Sequence, residues 1–139
     1  MKKRRIKRGF TLVEIMVVIM IMAVIGTLVV PNVVKKLGKA KKDMVKPRMG
    51  VVEGAINNFY LDYERFPDES EGLRILVENI SDLEGWEPYC KESQIKDPWG
   101  REFIYVPEGI VNTGSFDLIS YGADGQEGGE GDNEDVYNN

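Results

Sequence analysis

The residues best suited to chemistry lie in a short acidic segment near the end of the 139-residue chain. Residues 124–135 hold six carboxylates and four glycines. Glycine lets the backbone turn sharply, and crowded carboxylates repel one another unless a cation lies between them. Hard oxygen ligands on a flexible loop favour calcium over magnesium. The spacing is not that of an EF-hand, because Gly125 and Gln126 follow Asp124, and composition alone leaves a disordered acidic tail equally open.

Composition excludes most catalytic sites. The chain has no histidine and one cysteine, Cys90, so Ser/His and Cys/His pairs, most zinc sites and an intramolecular disulfide are ruled out. We expect Cys90 to be a partly buried small side chain. A hydrolase with paired carboxylates is an alternative, but the acids of the loop are surrounded by glycine, without an apolar pocket to raise a carboxyl pKa. We therefore expect no enzymatic activity.

A second informative residue is Glu14, which lies in an apolar run covering residues 10–30. A helix of this length spans about 30 Å, the thickness of the bilayer hydrocarbon. A carboxylate at the centre of such a segment costs about 2.5–3.5 kcal/mol, and somewhat less near one end. The charge at Glu14 therefore predicts a use for it, and assembly is a more natural use than catalysis.

Clusters of basic residues lie on both sides of this run. Six precede it in residues 1–8, and seven more follow in residues 35–48, which we call the basic band. The first cluster predicts a cytoplasmic N-terminus, with the folded part across the membrane. An ordinary secretory signal would have a shorter apolar core and a small-x-small cleavage site. The basic band lacks interleaved aromatic residues, so we expect no nucleic-acid partner.

The segment from Gly9 to Glu14, Gly-Phe-Thr-Leu-Val-Glu, resembles the class III signal of type IV pilins and type II secretion pseudopilins. The resemblance implies that a prepilin peptidase/methyltransferase cleaves between Gly9 and Phe10, that Phe10 becomes N-methylated, and that the anchor is retained. It also implies that Glu14 pairs with the N-terminal amine of a neighbouring subunit. The alternative is a carboxylate that simply lies near the lipid head groups.

The apolar pattern predicts one long helix from near Phe10 to about Tyr63. We expect a kink or unwound stretch at Pro31 and a second bend at Pro47. Residues 10–34 would form the transmembrane and filament-core part, and residues 35–64 an amphipathic continuation. Spacings of four and three residues define the face that should pack on a domain: Val45, Met49, Val52, Ile56, Phe59 and Tyr63.

Residues 65–139 are expected to form a small periplasmic domain. Asp68 and Glu71 have the spacing of a capping box, with Ser70 as a competing N-cap, ahead of a short helix whose face includes Leu73 and Ile80. Residues 81–96 read as a loop. Strands at 101–106 and 116–121 should pair as an antiparallel hairpin. The predicted fold class is α+β, with a long helix packed on a small antiparallel sheet.

Motifs in this domain extend the resemblance to the major pseudopilins of type II secretion. They are Phe66-Pro67, Glu71-Gly72-Leu73, Asp97-Pro98-Trp99-Gly100, Phe116-Asp117-Leu118 and Ser120-Tyr121-Gly122-Ala123-Asp124-Gly125. The resemblance implies a structural calcium ion in the loop of residues 121–135. The implied ligands are the Tyr121 carbonyl, Asp124 and Asp135, together with Asp132 or Glu134.

The resemblance implies a structural subunit of a helical homo-oligomeric filament that drives protein export. Its expected partners are minor pseudopilins, an inner-membrane assembly platform, the peptidase and membrane lipid. A type IV or competence pilin is an alternative, although those pilins usually carry a C-terminal disulfide. A monomeric membrane-tethered calcium-binding module is another, and would not need Glu14.

The basic band could contact acidic domains of neighbouring copies, or lipid head groups.

Overall fold

The computed structural model describes residues 9–139, except for the side chains of residues 28–32. Of the predicted leader, residues 1–9, only Gly9 is among the described residues. The chain divides into two compact units, Met1–Leu37 and Gly38–Asn139.

Two consecutive helices account for the predicted long helix. Helix α1 runs from Leu12 to Asp43 and helix α2 from Val45 to Tyr63. The unwound stretch expected at Pro31 is wrong, because α1 continues as helix through that residue, whereas a kink there stays a prediction. The break falls at Met44, whose N–H donates to the Lys41 carbonyl at 3.1 Å. Pro47 explains this position, because it has no N–H to donate to the Asp43 carbonyl and its ring crowds that oxygen.

One face of α2 supplies half of the core of the second unit, as the spacing predicts. Val45, Val52, Ile56 and Phe59 are completely buried, and Met49 is nearly so. Tyr63 packs against this core from a partly buried position. Ala55 is the sixth core residue of α2. The other core side chains come from the segments that follow: Leu73, Ile75, Leu76, Ile95, Phe103, Phe116 and Leu118.

The segment after α2 begins with the predicted capping box. The Asp68 carboxylate accepts the Glu71 N–H at 2.9 Å, and the Glu71 carboxylate accepts the Asp68 N–H at 3.0 Å. The element that follows is a 3₁₀ helix, Gly72–Leu76, so the predicted helix reaching Ile80 is too long. Ile80 is 46% exposed. Its side chain therefore does not contribute the apolar contact that would have favoured another helical turn.

Three short strands form an antiparallel sheet in the order β1-β2-β3: Ile104–Val106, Asp117–Ser120 and Val136–Tyr137. Tyr105 lies opposite Leu118 in the first pair, and Ile119 lies opposite Tyr137 in the second. Strand β1 is shorter than predicted because the residues before it pair elsewhere. The Phe103 N–H donates to the Ile95 carbonyl at 3.0 Å. Strand β3 was not predicted, because two residues are too few to show a strand pattern.

Candidate functional sites in the C-terminal loop and at Glu14

The Asp-Pro-Trp-Gly turn is held by the buried carboxylate of Asp97. One of its oxygens accepts the N–H groups of Trp99 and Arg101, both at 2.9 Å. The other oxygen accepts the Ser120 hydroxyl at 2.9 Å, which ties the turn to β2. Both buried oxygens of Asp97 therefore have hydrogen-bond partners within the protein. The turn therefore has a fixed position beside the end of β2, where the acidic loop begins.

Arg101 connects this turn to the acidic loop. Its guanidinium donates to the carbonyls of Gly122 and Ala123, at 2.5 and 2.9 Å. Gly125 faces the same side chain, and a Cβ at that position would lie 2.7 Å from the Arg101 Nε. Arg101 is not among the predicted site residues, although it is the last basic residue and directly follows the Asp-Pro-Trp-Gly turn.

Backbone contacts bring the two ends of the loop together. The Ala123 N–H donates to the Asp132 carbonyl at 2.9 Å, and the Gly125 N–H donates to the Tyr121 carbonyl at 3.1 Å. Gly122 has a φ of 62°, and a Cβ there would lie 2.6 Å from the Asn133 carbonyl carbon. Only glycine meets both the conformational and the steric requirement. The residues thus form a closed loop in this structure.

The implied ligands occupy different surroundings within the loop. Asp124 accepts the Gln126 N–H at 3.1 Å, while one Asp135 oxygen accepts the Gly128 N–H at 2.9 Å. The other Asp135 oxygen, Oδ1, is buried without a hydrogen-bond partner among the described residues. The Glu134 carboxylate pairs with the Lys42 ammonium at 2.6 Å, and this hydrogen bond lowers the pKa of Glu134.

The structure does not gather these acids into a complete metal centre. Among residues 9–139, no three acidic or cysteine side chains are close enough to one another to hold a metal ion. The Asp132 carboxylate lies against Gly38 of α1, on the same helix as the Lys42 that binds Glu134. Both residues between which the sequence analysis could not choose therefore contact the helix. The calcium ligands stay a prediction.

A second carboxylate organises the connection between β1 and β2. Asp117 is buried and accepts the N–H groups of Ile110, Val111 and Asn112 at 2.7–2.9 Å. Burial opposes ionisation of Asp117, but the amides of Val111, Asn112 and Ile110 outweigh it, so its pKa lies below the usual value. The Asn112 side chain continues to Asn138 at 2.9 Å. The role of this carboxylate is structural, because both of its oxygens accept hydrogen bonds from the chain itself.

Glu14 lies at the N-terminal end of α1 and takes part in a local capping box. Its carboxylate accepts the Thr11 N–H at 3.0 Å and the Thr11 hydroxyl at 3.2 Å. In return, the Thr11 hydroxyl oxygen accepts the Glu14 N–H at 3.2 Å. The Thr-x-x-Glu spacing is a standard helix-start signal that the sequence analysis overlooked. Glu14 is exposed in the single chain, as is Phe10.

Of the helices in the described part of the chain, none is both long and apolar enough to cross a membrane.

Cys90 is partly buried, as expected, and burial raises the pKa of its thiol.

Comparison with known proteins decides the family. A family model described as "Type II secretion system (T2SS), protein G" matches residues 32–139. The chain belongs to this family. A second model, "Prokaryotic N-terminal methylation motif", matches residues 4–30, which contain the class III signal described above. The two matches together cover nearly the whole of this protein G homologue.

Individual relatives agree with the family assignment. Type II secretion system core protein G of Vibrio cholerae serotype O1 is 37% identical, over 99% of this chain and 95% of the relative. The Escherichia coli K12 protein of the same description is 40% identical, over 91% and 88%. A crystal structure of the major pseudopilin of enterohaemorrhagic E. coli type 2 secretion has a TM-score of 0.59 and 27% identity, covering 79% of this chain and 96% of that one.

These matches confirm the predicted type II secretion pseudopilin and favour it over the type IV pilin alternative. The protein is a structural subunit of the secretion system, not an enzyme. The helix and small antiparallel sheet confirm the predicted fold class, whereas the calcium loop, the site residues and the domain boundaries stay predictions.

Proposed function

We propose that this pseudopilin is an inner-membrane protein whose copies assemble into a helical periplasmic filament, which drives export through the secretion system. Residues 10–34 would anchor the chain before assembly and form the filament core afterwards. The N-terminus would be cytoplasmic and residues 65–139 periplasmic. The apolar run, the six basic residues before it and the methylation motif over residues 4–30 support this arrangement.

The first step would be removal of the leader. Cleavage between Gly9 and Phe10 by the prepilin peptidase, followed by methylation of the Phe10 amine, places a new cation four residues from Glu14. The mass of the purified mature chain reports both events together. A chain that keeps Met1, or starts beyond the apolar run, would refute this proposal, because the amine needed for pairing would be absent.

The assembly proposal depends on the carboxylate of Glu14. In the single chain the only hydrogen bonds that its carboxylate accepts from the described residues come from Thr11, and the side chain is exposed at the start of an apolar helix. An unpaired charge next to lipid or apolar side chains is unfavourable. Pairing with the methylated amine of a neighbouring subunit would neutralise both charges and set the axial register of the filament.

Substitutions at Glu14 and Thr11 separate this intersubunit role from the local cap. Glutamine keeps the acceptor of a capping box but removes the charge, so Glu14→Gln should lose filaments as completely as Glu14→Ala. Glu14→Asp should retain part of the assembly. Thr11→Val, which removes the cap and keeps the carboxylate, should still assemble. Filament yield would be measured by shearing and sedimentation.

The control for these variants is membrane insertion with correct cleavage, checked by fractionation and mass. If Glu14→Gln assembles normally while Thr11→Val fails, Glu14 acts as a helix cap and the pairing proposal is wrong. Normal assembly of Glu14→Ala would favour the monomeric, membrane-tethered alternative instead.

We further propose that the C-terminal loop binds one structural calcium ion. The support is the buried Asp135 Oδ1, which no group in the described residues satisfies, within a closed loop rich in oxygen donors. Asp124, Asp135 and the Tyr121 carbonyl would hold the ion, with a further carboxylate from Asp132 or Glu134. The ion would supply the positive charge that keeps these oxygens together.

The remaining partners follow from membership of the secretion system. We propose contacts with minor pseudopilins, with the inner-membrane assembly platform and with membrane lipid. The driving ATPase would be a separate protein, because the sequence has no Gly-x-x-x-x-Gly-Lys phosphate-binding loop.

A further inference from the structure

The last nine residues of the chain lie along one face of the helices. The helical positions involved are 38, 42, 46 and 53, which recur at intervals of four, four and seven residues and so share a face. Their partners come from the loop and the segment after it: Asp132 for Gly38, Gly131 and Glu134 for Lys42, Asn139 for Lys46 and Asn138 for Glu53. We call this row of contacts the helix seam.

Lys42 makes the most specific contacts in the helix seam. Its ammonium donates to the Gly131 carbonyl and to the Glu134 carboxylate, each at 2.6 Å. The side chain is 28% exposed, so its stem is largely covered while its charged end binds two separate groups of the loop. The Lys42 ammonium thus binds the backbone at Gly131 and the side chain of Glu134 at the same time.

Gly38 allows the loop to approach the helix. A Cβ at this position would overlap the Asp132 carboxylate, although nothing in the backbone of α1 requires glycine there. Glycine inside a helix is unfavourable relative to alanine. The helix itself does not explain glycine at position 38, but the space needed by the Asp132 side chain does.

We propose that Lys42 and Gly38 are positioning residues of the C-terminal loop, so that the candidate cation site is supported from helix α1. Lys42 holds residues 131–134 by charge-assisted hydrogen bonds, and Gly38 admits the Asp132 side chain. For its metal-dependent part, this inference rests on the calcium site proposed above. By thermodynamic linkage, an ion that orders the loop also favours the contacts at Gly38 and Lys42.

The first experiment measures the loop without metal. Hydrogen–deuterium exchange would be followed in the full chain in detergent with excess chelator. Lys42→Met and Gly38→Ala should each increase deuterium uptake in residues 130–139, and Lys42→Arg should restore part of the protection. Lys39→Met is the matched control, since it removes the same charge from an exposed position three residues away.

Three outcomes would overturn the proposal. The first is wild-type uptake in both Lys42→Met and Gly38→Ala. The second is an increase with Lys42→Met that Lys39→Met reproduces, which would be a general charge effect. The third is lower uptake with Gly38→Ala, as expected if alanine only improves the helix and the loop does not depend on the space at Gly38.

The second experiment titrates the same variants with calcium chloride by calorimetry. We expect Lys42→Met to weaken calcium binding by about three- to fivefold, as for the loss of a partly exposed ion pair. Gly38→Ala should weaken it as well, because the added methyl group displaces Asp132. Tighter binding by Lys42→Met together with unchanged binding by Gly38→Ala would overturn positioning, because the ammonium would then only repel the ion. If the wild type binds no calcium, the calcium proposal fails, and the metal-free exchange still decides the role of the helix seam.

Discussion

The two units of the chain contain similar apolar residues and use them in opposite ways. In the first unit, Leu12, Ile19 and Met22 are 59–76% exposed. In the second unit, Ile56 and Phe59 are completely buried. Apolar surface of the extent seen in the first unit is unfavourable in water, which agrees with the membrane and filament contacts proposed above. The second unit provides its own core.

Carboxylates show the same contrast. Glu71, Asp97 and Asp117 are buried in the second unit, and each accepts several hydrogen bonds from its own chain. Glu14 in the first unit is exposed and bonded only to Thr11 among the described residues. These three carboxylates of the second unit are thus satisfied within the fold, whereas the first unit carries a charge and an apolar surface that suit an assembly.

The contrast is tested most strongly by truncating the same residue type in each unit. Ile56→Ala should reduce the free energy of unfolding by about 4 kcal/mol, because it removes buried methyl groups and leaves a cavity. Ile19→Ala, at a position 59% exposed, should change it by less than about 0.5 kcal/mol. Chemical denaturation of the full chain in detergent measures both values. Equal losses would contradict the division into a covered and an uncovered unit.

The next largest effect is expected at Asp117. Asp117→Ala leaves the N–H groups of Ile110, Val111 and Asn112 without their acceptor, and should cost about 3 kcal/mol. Asp117→Asn keeps one acceptor oxygen and should cost less. Asp124→Ala in chelator is the control, since Asp124 is exposed and accepts one N–H. An equal loss in the control would show that Asp117 has no special structural role.

Acid should weaken the second unit through Glu71. Two hydrogen bonds from Arg65, at 2.6 and 2.7 Å, lower the pKa of Glu71 to about 2, against the opposing effect of burial. A lowered folded-state pKa means that the stabilisation is present above the unfolded value near 4.5 and disappears as the pH falls towards 2.

Between pH 5 and pH 2 this residue should account for about 2 kcal/mol of lost stability, a value reduced because Arg65 is partly exposed. Denaturation midpoints at several pH values, compared between the wild type and Glu71→Gln, measure it. The glutamine variant should be less stable at pH 6 and less sensitive to acid. Parallel pH profiles for the two proteins would exclude this role for Glu71.

The smallest expected effect is that of calcium on the loop. At a free concentration about ten times its dissociation constant, calcium should stabilise the second unit by about 1.4 kcal/mol and raise its melting temperature by about 5 °C. Asp135→Asn should abolish the increase, while Glu130→Gln, at an exposed loop position outside the implied ligands, should retain it. Identical melting curves in calcium and in chelator would end the calcium proposal.

Periodicity and local motifs were sufficient for the elements built from nearby residues. The inward face of α2 and the reciprocal bonds between Asp68 and Glu71 were predicted correctly, since each depends on spacings of three or four residues. The unwound stretch predicted at Pro31 was wrong, and the bend predicted at Pro47 corresponds to a break at Met44. A proline removes the bond to the residue four positions earlier, so its effect can appear before it in the chain.

The amino-acid sequence by itself determined the family, the signal at Gly9 to Glu14, the buried face of α2 and the acidic loop, because local patterns and motifs carry this information. Only the tertiary structure showed that Arg101 binds the start of that loop and that Lys42 and Gly38 contact its end. It also showed that β3 completes the sheet. These contacts join residues roughly 20 to 90 positions apart, and no local pattern encodes which distant carbonyl or carboxylate a side chain will meet once the core has packed.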